Sequence, residues 1–400
     1  MLKHFRSVAG LIVVTAVMLV GFSVTNSSVS ARPMASAGTV IFIGPESYTG
    51  RWPKDDAYIK AQVAKQCPSC NYLYQNGNSE YSVQLQDFQT DLSQISGKKV
   101  LILGAVDSKQ DSGVVELAAQ NHVPVIAYDR MIEDSKISAY VSFNAAQVGQ
   151  VQAQYILYAL AHEKKPVTSG NIVQIWGAST DNNALLFQAG FAGAFDRHFK
   201  CPTSSPDTCG KAKPQYSDAY HIFTPAWTPQ VAANEIQAAL SNLQNKVVAV
   251  YSMNDGMADP IAGALQNVNL PTIPLTGQDA QPTGLARILT HNQGMDVYKP
   301  PSEEGIPAVK AALWFMNGKK GTPPGFSAKN HQCKQTVKPY RVVPCVIGPV
   351  YPITDYPIKA LGSHDVSYPV TQGYDTWSSV CQDVRPSPPS MTKSYCGLKR

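Results

Sequence analysis

From Gly38 onward, short apolar runs alternate with longer stretches in which apolar residues recur at helical spacing. The apolar runs predict strands at 39–43, 72–75, 99–103, 123–128, 140–143, 171–176, 247–251 and 272–276. The stretches between them predict helices at 55–66, 83–95, 113–121, 145–161, 183–199, 258–266 and 282–290. Strands that are apolar throughout and alternate with helices are typical of a parallel sheet covered on both faces.

The alternation restarts near residue 140, which indicates two doubly wound α/β lobes. The chain length also indicates two lobes, because roughly 360 residues outside an export signal are too many for a single hydrophobic core. Residues 200–218 are rich in Pro, Ser and Lys and predict an inserted loop. After Gly318 the helical periodicity fades, and the last 50 residues predict extended segments and loops.

The first residues have the pattern of an export signal. A basic start is followed by an almost wholly apolar run at 8–22 and then by small residues. This order predicts a secretory signal at 1–37, cleaved after Ala31 or Ala37. An uncleaved membrane anchor is the alternative, but the run is shorter than the ~20 residues that span a bilayer. Because no Cys follows the run, we expect a periplasmic or otherwise extracytoplasmic protein that is not a lipoprotein.

The eight cysteines fall as four neighbouring pairs. In an exported protein an even number of cysteines predicts disulfides, each closing a short loop. The pairs are Cys67 with Cys70, Cys201 with Cys209, Cys333 with Cys345, and Cys381 with Cys396. Cys67 and Cys70 also have the spacing of a redox dithiol, but such a motif opens a helix, whereas here a helical stretch precedes it. The histidines are scattered, so neither a metal site nor a cofactor is expected.

Polar side chains lie on the segments that follow several of the predicted strands. They are Arg51-Trp52, Asp129-Arg130, Asp181-Asn182-Asn183, Asn254-Asp255, Gln278-Asp279 and Lys299. In an open α/β sheet, ligands bind beyond the carboxyl ends of the strands. Carboxylates and amides accept a sugar hydroxyl proton, cationic groups donate to its oxygen, and a Trp ring (Trp52 or Trp227) packs on the C–H face. The pattern therefore predicts a sugar site.

Each cluster also has a purely structural alternative. Asp129 and Arg130 could form an ion pair, and Asp181 could cap the following helix. Asn254 begins an ordinary turn signal, and Trp227 could belong to the core. These alternatives stay open on the residues alone, although the coincidence of every cluster with a strand end favours a site.

At these clusters the sequence resembles the type I (ribose/galactose-like) solute-binding family of ABC sugar importers. The order and spacing hold from about residue 39 to 355, and the most specific blocks are Ala127-Tyr128-Asp129-Arg130-Met131-Ile132 and Gly277-Gln278-Asp279-Ala280. Further matches are Arg51-Trp52-Pro53-Lys54-Asp55, Tyr140-Val141-Ser142-Phe143-Asn144, Asp181-Asn182-Asn183-Ala184, Asn254-Asp255 and Val297-Tyr298-Lys299-Pro300.

The resemblance implies two doubly wound parallel-sheet lobes joined by a three-segment hinge near 144–148, 299–303 and 347–352. Residues 38–145 plus 302–348 would form the N-terminal lobe, and 146–301 plus 349–400 the C-terminal lobe. A monosaccharide, with D-xylose expected, would bind between them. The implied ligand-binding residues are Arg51, Trp52, Asp129, Arg130, Asp181, Asn183, Trp227, Asn254, Asp279 and Lys299, with Phe223 as an alternative to Trp227.

The resemblance also implies a monomer without catalytic residues that delivers its sugar to a membrane ABC permease. A sensor that presents its closed form to a membrane histidine kinase is a rival function. A second rival function is a glycosidase that uses Asp181 and Asp279 as its acid and base. The neighbouring cations are better suited to binding a polar ligand than to raising the pKa of a catalytic carboxyl. The net charge of +5 is spread along the chain, so nucleic acid is not an expected partner. The export signal disfavours a sugar-responsive repressor.

Overall fold

A computed structural model describes residues 37–46, 50–134, 136–199, 215–336, 338, 340–382, 384 and 396. The strands are β1 (Gly38–Gly44), β2 (Cys70–Asn76), β3 (Lys99–Leu103), β4 (Val125–Tyr128), β5 (Ala139–Phe143), β6 (Ser169–Trp176), β7 (Gln215–Phe223), β8 (Val247–Ser252), β9 (Met295–Tyr298), β10 (Cys345–Gly348), β11 (Tyr351–Thr354) and β12 (His364–Asp365). The α-helices are α1 (Arg51–Gln66), α2 (Tyr81–Gln94), α3 (Ser112–Gln120), α4 (Ala145–His162), α5 (Asn182–Phe199), α6 (Pro229–Asn242), α7 (Asp255–Asn267), α8 (Pro282–Leu289), α9 (Pro301–Met316), α10 (Ser367–Thr371) and α11 (Trp377–Gln382).

The first lobe is built on a six-stranded sheet in the order β10-β5-β4-β3-β1-β2. All its strand pairs are parallel. Val40 and Phe42 of β1 pack with α1 and α9 on one face, while Ile41 and Ile43 pack with α2 and α3 on the other. Because successive strand residues point to opposite faces, covering both faces requires the apolar runs seen in the sequence.

The second lobe contains a parallel sheet in the order β7-β6-β8 and a mixed sheet in the order β12-β11-β9. Single-residue bridges from Val250 to Leu275 and from Thr276 to Met295 connect the two sheets. Helices α4 to α7 pack with β6 and β8 in one core. A further core joins α8 to Tyr298, Ile353 and the C-terminal segment.

The chain passes between the lobes at three places. It crosses at Asn144 between β5 and α4, at 299–300 between β9 and α9, and at 349–350 between β10 and β11. The predicted α/β fold with two parallel-sheet lobes and a three-segment hinge is therefore confirmed. The residue boundaries given to the lobes stay a prediction.

Several predicted elements differ from the structure. The strand expected at 272–276 is reduced to the single-residue bridges at Leu275 and Thr276. Pro271 and Pro274 have no N–H to donate to the neighbouring strand. The strand expected at 123–128 begins only at Val125, after Pro124. The loop expected at 200–218 gives way to β7 from Gln215, and residues 200–214 lie outside the described residues. The tail expected to be extended contains the two short helices α10 and α11.

Three of the predicted disulfides are present. Cys67–Cys70, Cys333–Cys345 and Cys381–Cys396 have Cα–Cα distances of 5.3, 6.2 and 5.4 Å. The first lies where α1 ends and β2 begins, which is not the helix-opening position of a redox dithiol. The predicted Cys201–Cys209 pair and the export signal up to residue 36 lie outside the described residues. In the part of the chain that the structure describes, no helix meets the length and hydropathy of a membrane span.

Candidate functional site

All ten residues predicted to bind ligand line one cavity between the lobes, in which they leave a free volume of about 20 Å³. Three further residues, Glu46, Phe187 and Gln278, share this lining. The first wall comes from the first turn of α1 and the residues after β1 and β4. The second wall comes from the residues after β6 and β8, the start of α5 and the loop before α8. The carboxyl ends of parallel strands thus bring distant parts of the chain together.

Arg51 is the centre of a buried ion-pair cluster in the first wall. Its Nη1 lies 2.7 Å from Asp129 Oδ1 and its Nε 2.8 Å from Asp55 Oδ2, and Nη2 pairs with Glu304. Burial alone would lower the pKa of Arg51, but the three carboxylates raise it well above its ordinary value. Burial would likewise raise the pKa of Asp129, and the neighbouring Arg51, Lys299 and Arg130 instead lower it. The cavity therefore presents a permanent cation beside an ionised carboxylate.

Arg130 joins the two walls. Its Nε lies 2.8 Å from Asp181 Oδ2 in the other lobe, and its Nη2 lies 3.1 Å from Glu46 Oε1 in its own lobe. Nη1 donates to the backbone oxygen of Ala105 at 3.1 Å. Burial raises the pKa of Asp181 to about 6, against the opposing effect of Arg130. A second contact between lobes comes from Asn183 Nδ2, which donates to Asp129 Oδ2 at 3.2 Å.

Lys299 and Asp279 form a further ion pair, with Nζ and Oδ1 2.9 Å apart. The loop that carries Asp279 is fixed from below by Asp296, whose Oδ1 accepts from the backbone N–H of Ala280 at 3.1 Å. Burial and the neighbouring Asp255 raise the pKa of Asp296 well above its ordinary value. The carboxyl of Asp296 therefore keeps its proton to a higher pH than an exposed Asp does.

Aromatic rings line both walls. Trp52 donates from Nε1 to Glu46 Oε1 at 2.7 Å, and the guanidinium carbons of Arg51 and Arg130 each lie 5.3 Å from its ring. On the second wall Trp227 meets Phe187 edge-on, with ring centroids 6.3 Å apart. Both tryptophans are buried. Trp52 thus orders the cationic groups, while Trp227 and Phe187 form the apolar surface of the second wall.

Three cavity residues have a left-handed backbone. Asp129 has φ 60°, Trp227 φ 60° and Asp279 φ 90°. This conformation is uncommon for residues other than glycine and is strained for a bulky side chain. Such conformations concentrate where the surrounding structure holds a side chain in place for binding.

Three buried polar atoms of the lining have neither a hydrogen-bond partner nor an ion-pair partner among the described residues: Asn183 Oδ1, Trp227 Nε1 and Gln278 Oε1. Buried polar atoms are normally hydrogen-bonded, and exceptions call for an explanation. A polar ligand that both donates and accepts would satisfy all three, because two are acceptors and one is a donor.

The purely structural roles considered for these residues are confirmed in some cases and wrong in another. Asp129 pairs with Arg51, and Arg130 pairs with Asp181 and Glu46, so the ion pair considered between neighbours 129 and 130 is wrong. Capping is correct but incomplete for Asp181, whose Oδ1 accepts from the Asn183 N–H at 2.8 Å while Oδ2 faces Arg130. Asn254 similarly caps α7 and also lines the cavity.

The structure also shows where Phe223, the alternative to Trp227, lies and which residues of the lining the sequence did not predict. Trp227 lines the cavity and also belongs to the buried core of the second lobe, so the core alternative is confirmed beside the predicted position; Phe223 packs against Trp176 with centroids 4.8 Å apart. Sequence reasoning missed Phe187, although it lies one helical turn after Asn183 and so faces the same way. It also missed Glu46, two residues beyond the end of β1, where the strand-end rule could have found it.

Comparison with known proteins identifies the family. Residues 40–320 match the family described as the periplasmic binding protein domain. The D-xylose-binding periplasmic protein of Escherichia coli K12 is 30% identical over 275 residues, 68% of this chain and 75% of that protein. The multiple sugar-binding periplasmic receptor ChvE of Rhizobium radiobacter is 28% identical over 328 residues, 78% of this chain and 87% of that protein.

The fold is matched by solved structures. An ABC transporter solute-binding protein from Clostridium phytofermentans with bound β-D-glucose has a TM-score of 0.68 at 21% identity. The match covers 86% of this chain and 99% of that one. Members of the family bind solutes without transforming them. The chain therefore belongs to the type I periplasmic binding protein family and is a binding protein, not an enzyme.

Proposed function

We propose that this protein is exported and captures a monosaccharide in the cavity between its lobes, with D-xylose as the expected sugar. The observation that carries the proposal is the chemistry of the lining. Both lobes contribute charged hydrogen-bonding groups, aromatic surface is present, and three buried polar atoms lack a partner among the described residues. A sugar, with hydroxyls that donate and accept around a C–H face, matches this combination.

Binding would couple to closure of the lobes. A sugar would first contact one wall, and bending at the three connections would bring the second wall onto it. The Arg130–Asp181 and Asn183–Asp129 contacts between lobes would then form at the same time. Each hydrogen bond to a charged group contributes about 1.5–3 kcal/mol. A few of them offset the ordering cost and leave an affinity of about 1 μM or tighter.

The partner proposed to receive the sugar is a membrane ABC permease. The names of the two curated relatives, one binding D-xylose and one multiple sugars, support a sugar ligand. Glucose in the solved relative keeps hexoses among the candidates. The protein would act as a monomer outside the cytoplasm. A membrane histidine kinase is the rival partner, and reconstitution with the permease encoded nearest to it would separate the two.

Isothermal titration tests the proposal. Purified protein is titrated with D-xylose, D-ribose, D-glucose and L-arabinose, and heat with saturating one-to-one stoichiometry is expected for at least one. Asp279→Ala serves as the matched loss variant, because it removes a carboxylate that pairs with Lys299 in the cavity. If none of the four sugars gives heat with the wild type, the sugar proposal is wrong.

A further inference from the structure

The C-terminal segment 367–382, which lies outside the predicted site, contacts the loop that carries Asp279. Its α10 and α11 flank Tyr374 and Asp375, and Tyr374 and Trp377 pack into the core formed by α8, Tyr298 and Ile353. The segment is therefore a fixed part of the second lobe. The Cys381–Cys396 disulfide closes its far end.

Two neighbouring residues of this segment contact the first lobe and the cavity loop. Asp375 Oδ2 lies 2.8 Å from Lys54 Nζ, which belongs to α1, three residues after Arg51. The same Nζ lies 3.9 Å from the centroid of the Tyr374 ring. Tyr374 Oη then donates to the backbone oxygen of Asp279 at 2.7 Å. One continuous chain of contacts thus runs from the first lobe to the loop that holds a predicted ligand-binding carboxylate.

The ion pair is well placed to have an energetic effect. The Asp375 side chain is only 6% exposed and that of Lys54 is 27% exposed. Partial burial weakens screening by salt relative to an ordinary surface pair. An aromatic face beside the ammonium adds a cation–π attraction. Because the two partners belong to different lobes, the pair forms only when the lobes are together.

We propose that Lys54, Tyr374 and Asp375 form a clasp that holds the lobes together over the ligand and positions Asp279. Tyr374 is the positioning residue, since it acts through the Asp279 backbone, which has the uncommon φ of 90°. The proposal rests on the proposed function and deepens it. The clasp sets how long a sugar stays bound, whereas the cavity residues determine whether it binds.

Stopped-flow measurement of D-xylose or D-glucose release tests the clasp. Asp375→Asn and Lys54→Met should each speed release about fivefold, with little change in the association rate. The double variant should release no faster than the faster single variant, because both changes remove one interaction. Tyr374→Phe should also speed release, while the midpoint of thermal unfolding of the sugar-free protein falls only by the small amount expected for the loss of one hydrogen bond. Glu116→Gln is the matched control, since it breaks the exposed Lys136–Glu116 pair within the first lobe.

Unchanged release in both single variants, or equal acceleration by Glu116→Gln, would overturn the clasp. Strictly additive effects in the double variant would do the same. If no sugar binds the wild type, the proposed function fails separately, and small-angle scattering of the sugar-free protein decides the clasp. Asp375→Asn should then increase the radius of gyration relative to wild type and Glu116→Gln, and an unchanged value would refute it.

Discussion

Replacing Arg130 by alanine removes the guanidinium that connects the two walls of the cavity. In the structure this group contacts Asp181 of the second lobe and Glu46 of the first lobe at 2.8 and 3.1 Å. Both carboxylate side chains are only 2% exposed. The variant therefore leaves two buried carboxylates without the cation that compensates them.

The cost should fall mainly on ligand binding. Breaking a buried ion pair by removing one partner costs about 3–5 kcal/mol. With the lobes apart, Asp181 and Arg130 are both hydrated, so most of that cost applies to the closed, liganded form. A penalty of 3 kcal/mol corresponds to a loss of affinity of more than about 100-fold. The free energy of unfolding should fall by less, because the Asp181 contact is made between the lobes, whereas the contacts with Glu46 and with the backbone oxygen of Ala105 lie within one lobe.

Titration calorimetry with the best sugar and chemical denaturation of the sugar-free protein measure the two quantities separately. Lys136→Ala is the control, since it removes a cation of the same lobe whose side chain is 46% exposed. That variant should bind as wild type does. Arg130→Ala binding within threefold of wild type would refute the reasoning, and so would a stability loss larger than the loss of binding free energy.

Two further changes test the support of the cavity. A Cβ on Gly177 would lie 2.1 Å from ring carbons of Trp227. Gly177→Ala should therefore displace the ring and weaken sugar binding, measured by calorimetry, about tenfold. Gly263→Ala is the control, because a Cβ at this position of α7 meets open space; it should leave the affinity unchanged and raise the free energy of unfolding by about 1 kcal/mol. Because the pKa of Asp296 is raised in the folded protein, its protonated carboxyl stabilises the fold fully below pH 4, which is about the pKa of Asp in the unfolded chain. This stabilisation is lost as the pH rises through the pKa of Asp296 in the folded protein. Asp296→Asn cannot ionise, so its free energy of unfolding, measured by denaturation between pH 5 and 9, should fall less steeply with pH than that of wild type; parallel curves would contradict the assignment.

Much of the site could be predicted because it follows a general rule of parallel sheets. Asp129, Asp181, Asn254 and Asp279 each follow an apolar run or a predicted strand, and the carboxyl ends of such strands meet at one edge. The structure brings all four into one lining. Side-chain pairing could not be predicted in the same way, because it depends on which partners face each other across the cavity. Asp129 thus pairs with Arg51 rather than with its chain neighbour.

The C-terminal segment shows where sequence patterns are uninformative. Tyr374 and Asp375 lie between two helices of five and six residues, too short to give a clear helical period. Their contacts with Asp279 and Lys54 span 95 and 321 positions of the chain. Local patterns carry no information about pairs so far apart. The segment therefore appeared in the sequence only as a loop-rich tail.

A crystal structure of the protein grown with the best sugar of the titration panel would show whether one monosaccharide binds between the lobes. We expect density for one sugar ring between Arg130 and Asp279, with its C–H face against Trp227 and its hydroxyls bonded to Asn183 and Gln278. Density for the sugar elsewhere, with these side chains paired only to one another as in the present structure, would contradict it.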